Sequence, residues 1–184
     1  MPVLEDFKGI LRFFDALKKE RLIKDYAIIG GLALSAWIQP RATSDIDLIV
    51  SCSFDFNHED LKYLVETRLG KKTVSHTIAK NEPIREMFSF TENLLEADII
   101  SACGFPLAEE AIENAVTIET IGETVKIATP EYLIALKLIP FEEQDRLDIK
   151  RLLEVADLTL AQSIAARYGL SGLLDIILAE STNS

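Results

Sequence analysis

The sequence predicts an α/β (α+β) fold: a mixed β-sheet flanked by helices, followed by a C-terminal helical segment. Three observations carry this reading. Apolar residues recur at helical spacing at both ends of the chain, a strand, glycine turn, helix and second strand succeed one another over residues 26–50, and short β-rich runs separated by Asn, Pro and Glu fill the middle. Residues 1–139 are expected to form the core, and residues 140–184 a helical segment packed on it.

Phe7, Ile10, Leu11, Phe14 and Leu17 fall at steps of three and four, which predicts an amphipathic helix over 5–22 with Lys18, Lys19 and Arg21 near its C-terminal end. Tyr26-Ala27-Ile28-Ile29 reads as a short strand that ends at Gly30-Gly31. The helix formers of Leu32–Trp37 follow, and Pro40 closes that helix. Asp45–Val50 reads as the second strand.

A helix over 58–69 is expected to end near Gly70. Strands are expected over 73–78, 84–90 and 94–101, the last two as a hairpin. Beyond Pro106 we expect a helix over 107–114, strands over 116–120 and 123–127, and a helix opened by Pro130 that carries Leu133, Ile134 and Leu136. Segments 145–157, 160–168 and 171–180 have helical spacing and suggest a C-terminal bundle packed on the sheet.

The 184 residues suit one domain with a small helical appendage and suffice for a real core. Apolar residues make up 48% and charged residues 27%, a composition that excludes intrinsic disorder. Nineteen Lys and Arg against thirty Asp and Glu leave a net charge of −11, which repels rather than gathers a polyanion. The densest cationic stretch, Lys62, Arg68, Lys71, Lys72, Lys80 and Arg85, is either a local basic patch or an ordinary solvated surface.

Cys52 and Cys103 are too few for a disulfide framework and lack zinc-type spacing, so both read as small buried hydrophobes. His58 and His76 have no metal-like spacing and read as unrelated to chemistry. Trp37 reads as core rather than as a base-stacking platform. With no signal-like N-terminus and no apolar run of membrane-spanning length, the expected location is the cytoplasm, without a membrane partner.

Chemistry concentrates in Asp45-Ile46-Asp47. Alternation along a strand puts both carboxylates on one face, with Ile46 on the other. Two adjacent anions raise one another's pKa unless a cation compensates, and a hard divalent ion such as Mg²⁺ does so naturally. An isolated D-x-D is more often a solvated strand end. Gly30-Gly31 changes that balance, because free N–H groups at the start of a helix and the lack of side chains favour phosphate.

Glu96 and Asp98 share one face of the 94–101 strand, and either is available to the same site. Should that strand lie beside Asp45–Val50, three carboxylates would converge, enough for two metal ions.

Ile29-Gly30-Gly31-Leu32-Ala33, Pro40-Arg41-Ala42-Thr43-Ser44-Asp45-Ile46-Asp47-Leu48 and Pro130-Glu131-Tyr132-Leu133-Ile134-Ala135-Leu136-Lys137 together resemble the DNA polymerase β-like nucleotidyltransferase superfamily. Within it, the look is that of the AbiEii-type toxin nucleotidyltransferases. The resemblance spans about residues 25–155 and implies a nucleotidyltransferase-type sheet. It implies an NTP as substrate, a two-ion Mg²⁺ site on Asp45, Asp47 and Asp98, and Asp98 as acceptor of the proton of the attacking hydroxyl. It also implies nucleotide contacts from Gly30, Gly31, Arg41, Ser44 and Lys137.

Arg41 and Thr43 either touch a phosphate or orient and cap the turn. Lys137 either neutralises the leaving pyrophosphate or is a helix-surface lysine, and Asp148 either holds it or is a solvated helix charge. The segment Phe141–Asp148 is more acidic than in similar proteins. The implied reaction moves an NMP to an acceptor hydroxyl, on a tRNA 3′ end or a protein, in a toxin paired with an antitoxin. The alternatives are a catalytically idle protein of the same fold, such as an antitoxin-like partner, and an aminoglycoside-type nucleotidyltransferase.

Overall fold

A computed structural model describes residues 2–39, 43, 45–78, 85–120 and 122–182. The chain runs α1 (Pro2–Lys19), β1 (Ile23–Ile29), α2 (Gly30–Leu34), β2 (Asp45–Cys52), α3 (His58–Leu64) with a π turn over Val65–Leu69, β3 (Thr73–Ile78), β4 (Arg85–Glu92) and β5 (Leu95–Ser101). It continues with α4 (Pro106–Glu113), β6 (Val116–Thr120), β7 (Glu123–Ile127), α5 (Pro130–Lys137), α6 (Glu143–Leu152), α7 (Leu158–Arg167) and α8 (Ser171–Thr182).

The seven strands form one mixed sheet in the order β3-β4-β5-β2-β1-β7-β6, as the sequence predicts in kind. The expected hairpin of β4 and β5 is present, and β5 also pairs with β2 in parallel. Several boundaries differ, α1 and α6 among them, and two of the differences have a plain physical reason. Strand β1 starts earlier, at Ile23, because pairing with Cys52 extends it beyond its apolar run. The helix expected over Leu32–Trp37 is a single turn, Gly30–Leu34, that loosens into turns over 35–37.

Alternation sorts the sheet into two faces. Tyr26, Ile28, Ile46, Leu48, Ala97, Ile99, Phe88 and Phe90 are buried on one of them. Helix α1 covers this face with Ile10, Leu11, Phe14 and Leu17; the Phe14 and Tyr26 rings lie 5.5 Å apart, and the Tyr26 hydroxyl donates to Asp15 at 2.8 Å. His58 of α3 packs edge-on against Phe88, so it is a core histidine whose protonation burial disfavours.

Helices α6 and α7 pack on α5, and α8 packs on α6 and α7. Trp37 is half-buried against the core and donates its indole N–H to the Ala128 carbonyl at 3.0 Å, in keeping with a structural role. Cys52 is buried, but Cys103 is exposed, which corrects the expectation for that residue; it lies in the turn after β5, outside the strand period that buries its neighbours. Among the described residues, no helix is long and apolar enough to cross a membrane.

The tip of the β4–β5 hairpin is anchored to α1. Asn93 takes the left-handed conformation (φ 52°) that a tight hairpin turn requires. The buried Asp6 carboxylate accepts the Asn93 side-chain amide at 2.8 Å and the Leu94 N–H at 3.3 Å. Replacing Asp6 with Ala removes both bonds while the exposed Asn93 amide keeps Glu92 as a partner, so urea unfolding of Asp6→Ala should show a loss of about 0.5–1.5 kcal/mol.

Candidate functional site

On the face away from α1, sheet register builds a row of side chains from residues distant in sequence. Ile29 pairs with Asp47, Asp47 with Asp98 in the parallel β2–β5 ladder, and Asp98 with Ser89 in the antiparallel β5–β4 ladder. Asp45, Asp47 and Asp98 each offer a carboxylate oxygen within 4.8 Å of the others. Glu96 pairs in register with Asp45, yet it is exposed and is not a member of this cluster.

Among the described residues, each of the three carboxylates has a neutral donor. Asp45 accepts from the Thr43 hydroxyl, Asp47 from the Gly31 backbone N–H, and Asp98 from the Ser89 hydroxyl at 2.6 Å. Burial, then repulsion from Asp45 and from Asp98, pushes the Asp47 carboxyl up to about 6; nearby Lys137 and the Gly31 N–H pull the other way. The donor set is all carboxylate oxygen and crowded with negative charge. That fits a hard divalent cation, which would offset the repulsion.

Gly30 makes the cluster sterically feasible. Its φ of +62° is a left-handed conformation, and a Cβ added there would run into the Asp47 carboxylate and lie 2.9 Å from the Asp47 Cβ. The Gly30-Gly31 pair is therefore a surface against which Asp47 rests, with the Gly31 N–H turned to the carboxylate. Arg41 and Ser44, expected to contact a nucleotide, lie outside the described residues.

Lys137 is not a surface lysine. Its side chain is 13% exposed, and its ammonium lies 2.9 Å from both Asp145 and Asp148. Asp148 is fully buried and also accepts the Gln144 amide at 3.0 Å. Of the two readings of Asp148, the pairing with Lys137 is the one present and the solvated helix charge is not, and Asp145 is a second partner that sequence reading missed. The acidic run Phe141–Asp148 supplies both of them, eight and eleven residues beyond the lysine, one helical turn apart on α6.

His76, read as unrelated to chemistry, stands two hydrogen bonds from the cluster: its Nε2 is 2.9 Å from the Ser89 hydroxyl. Spacing along the chain could not reveal this, because only the β3–β4 register brings the two together. Of the cationic stretch, Lys62, Arg68 and Lys71 are paired with Glu59, Glu20 and Glu92, so this part of it is not a free basic patch. Beside Asp45 and Thr43 opens a cavity of about 500 Å³, walled by Phe7, Ile28, Leu32, Val125 and Ile127 among others and lacking any cationic lining residue among the described residues. Its walls suit an uncharged group rather than phosphates.

No protein-family model matches this chain, and no curated protein matches it. Among solved structures, it is similar to an antigenic nucleotidyltransferase-like protein from Paracoccidioides brasiliensis, at 19% identity over 82% of this chain and 84% of that one, with a TM-score of 0.49.

Two outcomes follow from this geometry. Gly30→Ala combines left-handed strain of about 1–2 kcal/mol with a collision against Asp47, so its thermal unfolding should begin well below that of the wild type. Asp47 binds its proton more tightly in the folded chain than at its ordinary value of 3.8, so metal-free protein should lose stability as pH rises from about 4 through about 6 and stay at the lower level above. Denaturant titrations across that range should show a loss on the order of 2 kcal/mol that Asp47→Asn removes.

Proposed function

We propose that this protein is a Mg²⁺-dependent nucleotidyltransferase that moves an NMP from an NTP to an acceptor hydroxyl, on an RNA such as a tRNA 3′ end or on a protein, and that it acts as a toxin held in check by an antitoxin. The supporting observation is the convergence of Asp45, Asp47 and Asp98 within 4.8 Å beside a lysine clamped by two buried or half-buried carboxylates. The toxin role rests on the sequence resemblance alone.

Asp45, Asp47 and Asp98 would hold the ions. Bound Mg²⁺ would neutralise the phosphates and favour ionisation of the attacking hydroxyl. The acceptor oxygen then bonds to the α-phosphorus while the bond to the β-phosphate oxygen breaks, and pyrophosphate departs. Asp98 takes the hydroxyl proton at Oδ2, the oxygen not engaged by Ser89. Lys137, whose charge acts on Asp47, would face the growing charge of pyrophosphate, and the phosphates would rest against the Gly30-Gly31 turn. Such a reaction needs positioning and charge neutralisation, not a covalent protein nucleophile.

The net charge of −11 and the paired state of Lys62, Arg68 and Lys71 favour a protein acceptor over RNA. Incubating the protein with Mg²⁺ and each α-labelled NTP, with tRNA or with cell lysate, separates the two. Label on an acceptor is expected, reduced on the order of 10²–10³-fold by Asp47→Asn or Asp98→Asn. Absence of transfer to any acceptor, together with absence of Mg-NTP binding by calorimetry, would overturn the reading.

A further inference from the structure

Ser89 is 5% exposed and lies on β4 directly opposite Asp98, between Phe88 and Phe90, which are buried on the other face of the sheet. A polar side chain so enclosed needs partners, and it has two: Asp98 Oδ1 at 2.6 Å and His76 Nε2 at 2.9 Å. A serine hydroxyl has a single proton to give, and an ionised carboxylate can only accept. Ser89 therefore donates to Asp98, and its oxygen accepts from the His76 Nε2–H. The chain of bonds has a direction, from His76 on β3 through Ser89 on β4 to Asp98 on β5.

We propose that Ser89, oriented by His76, is the positioning residue of this carboxylate cluster: it pins Asp98 so that the side chain stays turned toward Asp45 and Asp47. This rests on the metal-binding reading of those three aspartates. Like charges within 4.8 Å repel, and an unrestrained Asp98 lowers that repulsion by rotating away. The Ser89 bond opposes the rotation, and its 2.6 Å length is that of a charge-assisted hydrogen bond. Thr43 on Asp45 and the Gly31 N–H on Asp47 restrain the other two members in the same way. Among the described residues, the restraint on Asp98 is the one of the three that is itself anchored by a further side chain. Partners of this kind, one bond removed from a metal, set the orientation of its ligands.

The test is a Mn²⁺ titration, read by electron paramagnetic resonance and calorimetry, on wild type, Asp98→Asn, Ser89→Ala, Ser89→Thr and His76→Ala, with the melting temperature of each metal-free protein measured alongside. Ser89→Ala should weaken Mn²⁺ on the order of tenfold without lowering the metal-free melting temperature, since it relieves rather than adds crowding. Ser89→Thr, which keeps the hydroxyl, should retain wild-type affinity, and His76→Ala should show a smaller loss than Ser89→Ala. Wild-type Mn²⁺ affinity in Ser89→Ala, with Asp98→Asn impaired, overturns the role of Ser89 and leaves the proposed function standing. Equal affinity in Asp98→Asn and wild type overturns both.

Discussion

Mutual repulsion among Asp45, Asp47 and Asp98 is the interaction around which the rest of this protein is arranged. Parallel pairing of β2 with β5 puts Asp47 directly beside Asp98, and the strand period adds Asp45 on the same face. Left to itself, such a cluster would spread apart or take up a proton, and the rise of the Asp47 carboxyl to about 6 records that tension. Backbone and side-chain donors hold each carboxylate, and Gly30 yields the space a Cβ would otherwise occupy.

Keeping these charges in place requires a rigid platform, which the opposite face of the sheet provides. Phe88, Phe90, Ile99 and Leu48 are buried beneath α1 and α3, so the strands cannot slide without exposing large apolar side chains. The contacts of Asp6 with the β4–β5 turn fix the same hairpin from its tip. Core packing thus determines the register that brings Ser89 and Asp98 together.

The C-terminal helices contribute more than bulk. Lys137 ends α5, and its two acid partners lie on α6, so the orientation of a cation that acts on Asp47 depends on the docking of the two helices. Two carboxylates around one ammonium leave this corner anionic overall until a further cation arrives. The net charge of the whole chain has the same sign, which favours cations over anions at its surface.

Much of this was legible in the amino-acid sequence. Helical spacing marked α1 and the final helices, alternation placed Asp45 and Asp47 on one face, and the glycine pair before a helix marked an unusual turn, because each of these is a property of neighbouring residues. What the sequence could not decide is what lies across a ladder. Partnership of Asp47 with Asp98, exclusion of Glu96, the chain from His76 through Ser89, and the second clamp on Lys137 all depend on register and helix docking. Those are settled by burial of apolar side chains far apart in the chain, an energy that belongs to the folded whole and leaves no local pattern to read.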